Sequence, residues 1–222
     1  TGSPALNLDN YLTPTGGIYT GVGISTHYFY PSLANVGSDT VVYYYTDQFG
    51  CKDTSAYPIT VKNSVKVSLA SSDVDFTICR GDSITFAATG AEFYQFFVNG
   101  VAVDSASLTN TFTTTSLSNH DAVHVVGSNE CSTDTSEDII IDVIPLPTVD
   151  AGPDTTIELG HSVVLPTKAS GASELVYNWS PDFHLNFNNV PNPTYSGPDT
   201  TTFVVLVTDV YGCKATDTIT VN

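Results

Sequence analysis

Residues Tyr45–Val61 read YTDQFGCKDTSAYPITV, and near the other end of the chain Val207–Val221 read VTDVYGCKATDTITV. Each stretch reads as two strands and a turn. Val41, Tyr43 and Tyr45 alternate with Val42, Tyr44 and Thr46 at the period of a strand, Asp47-Gln48-Phe49-Gly50 supplies turn residues, and Ile59-Thr60-Val61 is β-rich again. A weaker third copy lies between them, Val125–Cys131 followed by Ile139–Val143, with Ile141-Asp142-Val143 standing where Ile59-Thr60-Val61 and Ile219-Thr220-Val221 stand. The hairpin cysteines Cys51, Cys131 and Cys213 are 80 and 82 residues apart. A long internal period of this kind decides the fold before any local propensity does.

The period divides the 222 residues into three small modules, 1–63, 64–143 and 144–222, each of sandwich size. Helical periodicity is nearly absent, while Thr, Val, Tyr, Phe and Ile are abundant and 16 Gly with 12 Pro punctuate short runs. The expected class is all-β, three tandem Ig-like or PKD-like β-sandwich modules in an extended rod. The first module, at about 63 residues, reads as lacking its first strand. With no Met and with modules cut at both ends, the sequence reads as an internal fragment of something longer.

Outward from the hairpins, strands are expected at Ala5–Leu8, at Gly16–Ile24 where glycines break the run, and at Val65–Leu69. Phe76–Phe86 reads as two strands flanking a turn at Arg80-Gly81-Asp82. Asn99-Gly100 is a strong hairpin turn signal, because the favoured two-residue turn needs positive φ at both positions. Thr155–Leu165 repeats Phe76–Phe86 register for register, and Tyr177 and Trp179 fall where Tyr94 and Phe96 fell. A single Trp on a middle strand is what an Ig-like sandwich places in its core. Pro145 and Pro147 restrict the connection between the second and third modules to a stiff joint.

Charge sets the partners. With 23 acidic against 6 basic residues the formal charge is −17, which repels phosphate backbones and anionic lipid, so neither nucleic acid nor membrane is an expected partner. No run of 18 apolar residues exists, and direct membrane insertion is not expected. No Gly-x-Ser-x-Gly elbow, His-Glu-x-x-His motif or phosphate loop is present, so no catalytic residues are assigned and the chain is not read as an enzyme. His27, His120, His124, His161 and His184 are scattered, with only His120 and His124 on one strand face, and no cluster has zinc spacing. Asp150, Asp154 and Asp209 are the turn carboxylates nearest to a structural calcium site, but no EF-type loop is present and the expectation is no metal and no cofactor.

Two surface features remain. Eight of the 12 tyrosines fall in the first module, and strand alternation keeps Tyr44 off the face of Tyr43 and Tyr45. Tyr28, Tyr30 and Tyr44 are therefore the candidate glycan-contact residues, set against a plain role in the core. Arg80-Gly81-Asp82 spells the integrin tripeptide, but a Gly at this turn is what the repeat wants, since Gly160-His161 takes the same place in the third module.

Four cysteines allow three pairings. The repeat chooses among them: Cys79 precedes the turn of the second module and Cys131 lies in its closing hairpin, whereas the place of Cys79 in the third module carries Glu158 and the first module has no upstream cysteine. The expectation is one disulfide, Cys79–Cys131, closing about 52 residues and worth about 4 kcal/mol, with Cys51 and Cys213 as free thiols. A disulfide in a small acidic β-module places the chain in an oxidising, extracytoplasmic setting.

With GGIYTGVGIS, YYYTDQFGC, TICRGDSITF, YQFFVNG, PTVDAGPDTT and VTDVYGC in one chain, the sequence resembles the PKD-like and Ig-like repeats of Bacteroidota gliding-motility and cell-surface adhesins, over essentially its whole length. The resemblance implies type IX secretion, a filament of tandem modules on the outer-membrane surface, and adhesion or gliding motility. Its partners would be neighbouring repeats of the same polypeptide and surface polysaccharide. In that family each repeat carries a TIC and GC cysteine pair, complete here only in the second module. An Asp followed by Ser or Thr is similar to the O-glycosylation signal of exported proteins of that group, and it marks Thr40, Thr54, Ser83, Ser105, Thr135, Thr155, Thr200 and Thr218. The reading is a structural repeat segment of an exported adhesin filament. The alternative is a non-catalytic carbohydrate-binding or accessory module set of a secreted or surface protein.

Overall fold

The computed structural model describes residues 3–222. Thr1 and Gly2, with which the first module was expected to begin, lie outside the described residues. Strands β1 (Leu6–Asn7), β2 (Ile18–Thr20), β3 (Ile24–Ser25), β4 (Tyr28–Phe29), β5 (Gly37–Thr46) and β6 (Lys52–Val61) come first. They are followed by β7 (Ser68–Ser71), β8 (Thr77–Cys79), β9 (Ile84–Thr89), β10 (Phe93–Val98), β11 (Val101–Ala102), β12 (Thr111–Thr114), β13 (Asp121–Ser128), β14 (Thr133–Thr135) and β15 (Ile139–Ile144). The last group is β16 (Thr148–Asp150), β17 (Val163–Val164), β18 (Lys168–Ser170), β19 (Val176–Ser180), β20 (Thr194–Tyr195), β21 (Thr201–Thr208) and β22 (Lys214–Val221). Helix among the described residues is confined to two three-residue 3-10 turns, Leu8–Asn10 and Pro31–Leu33. The fold is all-β, built of tandem Ig-like sandwiches.

The middle strands show the plan most fully. One sheet runs β11-β10-β13-β15-β8 and the facing sheet β12-β9-β7. β10 with β11, β9 with β12, β13 with β15 and β7 with β9 pair antiparallel, whereas in β15 with β8 Asp142, Val143 and Ile144 lie parallel to Thr77, Ile78 and Cys79. The opening segment is thus divided between the two sheets, in an Ig-like sandwich layout. Alternation places Ile84, Phe86 and Ala88 of one sheet against Phe96, Val123, Val125 and Ile141 of the other, all at 0–1 % exposure. The β10–β11 turn is Asn99-Gly100 with φ of 51° and 75°, the left-handed pair its sequence called for. Val65–Val67 are not strand, although alternation suggested one: Val65 is buried and its N–H donates to the Ser132 hydroxyl instead of to a ladder.

A second core gathers Trp179, Tyr195, Phe203, Val205, Val207, Ile219 and Val221 beneath the sheet β19-β21-β22. Trp179 is 1 % exposed and its indole N–H donates to the Val190 carbonyl, but β19 is an edge of that sheet and not a middle strand. A third core of Leu8, Tyr19, Phe29, Val41 and Tyr43 lies between β2-β5-β6 and β1-β4-β3. The chain clusters into two compact units, one made of the residues up to Lys66 with Ser128–Asp134, the other of Val67–Gly127 with Thr135–Asn222. The tip of the hairpin after β13 therefore belongs with the first unit, although the repeat assigned it to residues 64–143.

The β5–β6 and β21–β22 hairpins are built alike. In each an Asp carboxylate reaches forward over its own turn: Asp47 Oδ1 accepts from the Phe49 and Cys51 N–H groups at 2.8 Å, and Asp209 Oδ1 from Tyr211 and Cys213 at 2.9 Å. Gly50 and Gly212, both at φ 85°, complete the turns. At the third copy Asn129 does the same work for Cys131 and Ser132. Asp209 is buried, so replacing it by Ala strands two N–H groups, and Asp209→Ala is expected to destabilise the second unit by about 1–3 kcal/mol. Denaturant unfolding followed by Trp179 fluorescence measures it. Asp47→Ala, in an exposed turn of the first unit, should leave the Trp179 transition unmoved.

Candidate functional site

The one covalent feature is a disulfide, and it is not the expected one. Cys79 is bonded to Cys213 with a Cα–Cα distance of 5.5 Å, while Cys51 and Cys131 are free and exposed. Register explains the correction. Cys79 lies level with Ile144 at the far end of β15, whereas β13 runs antiparallel to β15, Asp121 opposite Ile141, and delivers Cys131 beyond Ser128 at the other end. At about 3.3 Å per residue the two cysteines are on the order of 30 Å apart, far beyond the ~7 Å limit for a bridge. The turn after β21 brings Cys213, 1 % exposed, to Cys79 instead. The bridge joins the opening strand of one repeat to the closing hairpin of the next, both within the second unit. It spans 134 residues and is worth about 5 kcal/mol on the loop-entropy model.

The expected match of Glu158 to Cys79 holds for the turn alone. His161 N–H bonds to Glu158 O as Asp82 N–H bonds to Cys79 O, but in the ladder Thr155 is the residue paired parallel with Val221. Ladder and turn are thus out of step by two residues, and Thr156 falls at the level that Cys79 holds beside β15.

In the first unit the tyrosines divide as alternation required. Tyr43 is 5 % exposed and Tyr44 46 %, the latter opposite the exposed Ile18 on the outer face of β2-β5-β6. Tyr28 and Tyr30 lie in and beside β4, their ring centroids 6.4 Å apart, on the side opposite the buried Phe29. The candidate glycan residues are therefore a pair, Tyr28 with Tyr30, and a separate Tyr44 in the other sheet.

Beneath them is a polar cluster that sequence reading missed. The Tyr19 hydroxyl donates to Asp9 Oδ1 at 2.9 Å, His27 Nδ1 meets the same oxygen at 3.0 Å, and the Tyr43 hydroxyl donates to the Pro14 carbonyl and accepts from the Gly17 N–H. The hydrogen bond with His27 holds the Asp9 carboxyl below its ordinary value, and burial, with the Asp9 bond, pushes the Tyr19 hydroxyl up to about 12. No motif spacing announces residues 9, 19 and 27.

The remaining candidates are dispersed. Thr40, Thr54, Ser83, Ser105, Thr135, Thr200 and Thr218 are exposed, and Thr155 is half-buried in its bridge to Val221. Asp150, Asp154 and Asp209 each turn an oxygen to a backbone N–H, of Gly152, Thr220 and Tyr211, and no group of three metal-ligating residues occurs among the described residues. His120 sits at φ 66° in the turn before β13 near Asp142, so it does not share a strand face with His124, which pairs with Asp138 at 2.9 Å. Arg80-Gly81-Asp82 is exposed beside the disulfide. No helix is long and apolar enough to cross a membrane.

No family model matches the chain, and no curated protein matches it either. Among solved structures it is similar to three N-terminal domains of the Highly Immunogenic Outer Capsid protein of bacteriophage RB49, at 15 % identity and TM-score 0.37 over 71 % of this chain and 59 % of that one. It is similar to the insect immune protein hemolin at 12 % identity and TM-score 0.40, over 88 % and 59 %. It is also similar to immunoglobulin domains 1–5 of Sidekick-1 at 13 % identity and TM-score 0.41, over 90 % and 49 %. The chain spans about half to three-fifths of the length of these structures.

Tyr19 yields a pH test. An unfolded tyrosine ionises near 10.0 and the folded one at about 12, so the stability it contributes is complete below pH 10 and is lost as pH rises to about 12. Tyrosinate absorbance should show a late-titrating phase near pH 12 in the wild type that is smaller by one tyrosine in Tyr19→Phe. Identical curves would contradict the burial of its hydroxyl.

Proposed function

We propose that this chain is a structural segment of an exported, non-catalytic cell-surface adhesin, whose three sandwich modules act as a strut displayed in the extracellular space. The observation that carries the reading is the Cys79–Cys213 bridge between successive repeats. A bridge inside one repeat shields only the loop within that repeat from extension, whereas this one shields 134 residues that include the connection to the next repeat. The acidic composition, with a charge of −17, favours a solvated surface that does not adhere to nucleic acid or anionic membrane. The sequence resemblance supports display on a bacterial outer-membrane surface as a type IX secretion product, with adhesion and gliding motility as its use. Neighbouring repeats of the same polypeptide are its first partners. The exposed Asp-Ser and Asp-Thr sites are the positions for O-glycans.

A second reading, polysaccharide contact through the first unit, is favoured by one observation, the exposed Tyr28 ring with the half-buried Tyr30 ring beside it. Stacking on such a pair would give weak, avidity-dependent binding.

Single-molecule pulling tests the strut. With the bridge intact, 134 residues are shielded from extension, so reduction should add about 45 nm to the fully extended length. A gain of about 18 nm would correspond to a bridge inside one repeat and would remove the basis of the proposal. A glycan array separates the second reading: binding lost in Tyr28→Ala/Tyr30→Ala supports it, and silence leaves the strut alone.

A further inference from the structure

The three copies of the closing I-x-V strand are not covered equally. Ile141 and Val143 are 0 % and 5 % exposed, and Ile219 and Val221 1 % and 0 %. Ile59 and Val61, at the same places in the first unit, are only half-buried. The difference lies at the outer edge of the strand. Thr77–Cys79 lies parallel along β15, bonded through Asp142 N–H to Phe76 O and Arg80 N–H to Ile144 O. Thr155 lies parallel along β22, with its N–H on Thr220 O and Ile157 N–H on Asn222 O. Among the described residues no strand takes that place along β6, which is the edge of β2-β5-β6.

At that edge there is a groove of about 410 Å³, in the size range of sites that accept a ligand, lined by Leu6, Phe29, Ile59, Thr60, Val61 and Cys131. The hairpin bearing Cys131 is held there by three contacts: Asn129 Nδ2 to Asn63 O at 2.9 Å, Ser132 Oγ to Val65 N at 2.8 Å, and Glu130 to Lys62 Nζ at 3.0 Å. In the second unit the corresponding hairpin holds Cys213, and Cys213 is bonded to the cysteine that ends the parallel edge strand.

We infer that the groove along Ile59–Val61 is the seat of an extended, cysteine-bearing β-strand of the Thr77-Ile78-Cys79 type, supplied by a repeat of the same kind, which runs parallel to β6, continues that sheet and bonds to Cys131. The occupant is specified by the chain's own precedents: both edges supply a parallel strand whose backbone completes the ladder, and the Thr77–Cys79 edge adds the aliphatic Ile78 beside the I-x-V pair and the thiol that meets a hairpin cysteine. β-Strand addition of this kind draws affinity from the ladder and selectivity from alternate side chains. Closure converts two thiols and one small-molecule disulfide of the oxidising compartment into the protein disulfide and two small thiols, so electrons and protons balance. The inference stands apart from the adhesive role and does not need it.

The test uses the whole chain and a synthetic peptide with the sequence of residues 74–82, VDFTICRGD, its cysteine activated as a thiopyridyl mixed disulfide. The Cys131 thiolate attacks the peptide sulfur, the peptide–thiopyridine bond breaks, and the leaving thiolate takes up the proton. Cys51, exposed and free, is the internal comparator. Peptide mapping after a short reaction should show Cys131 modified over Cys51 about tenfold more than the same two thiols differ toward a plain small thiopyridyl disulfide, because the seated strand raises the local thiol concentration. A scrambled peptide should lose that preference. An equal ratio for peptide and small reagent, or for ordered and scrambled peptide, would overturn the inference.

Discussion

A β-strand separates its two ends by about 3.3 Å per residue, and that constraint governs how these repeats are joined. β13 carries the chain across its own sheet, so the hairpin that follows it lies a full strand length from the end of β8. A cysteine in such a hairpin cannot reach the opening strand of its own repeat. It can reach the opening strand of the repeat before it, which is what Cys213 does with Cys79. The turn that presents the cysteine is made rigid by the preceding Asp, whose carboxylate takes the N–H of the cysteine itself. Hairpin and cap recur along the chain, and at Cys213 they carry the bridge.

Much of this was legible from residues. The I-x-V closing strands and the Asn99-Gly100 turn rest on local chemistry, period-2 alternation and positive φ, and the structure shows both. Opposite exposure of Tyr43 and Tyr44 follows from the same alternation. The bridge departs from the expected pairing because a repeat tells which cysteines are equivalent but not which end of a sheet each occupies, and strand length places the bridge between modules and not within one. Thr155–Leu165 misled in a related way. Its turn keeps the register of Phe76–Phe86, but its ladder is shifted by two residues, and only the partner strand reveals that. Val65–Val67 alternates like a strand, yet Val65 gives its backbone N–H to a serine side chain and not to a ladder.

The two units differ in how their polar groups are arranged. In the second, the large side chains Trp179, Phe86, Phe96 and Phe203 are closed off almost entirely. The first has a smaller core in which two tyrosine hydroxyls, an aspartate and a histidine share hydrogen bonds, and its closing strand is only half covered. Tyr19 and Tyr43 stand where aliphatic residues would serve packing alone, and their hydroxyls require Asp9 and the Pro14 carbonyl as partners. That requirement has no sequence signature, because the partners are ten and 29 residues away in the chain.

The central claim is that successive repeats, not the sheets of one repeat, are joined covalently. Peptide mapping of the alkylated but unreduced chain tests it directly. The account requires a cross-linked peptide pair containing Cys79 and Cys213, with Cys51 and Cys131 both alkylated. A pair containing Cys79 and Cys131 would contradict it.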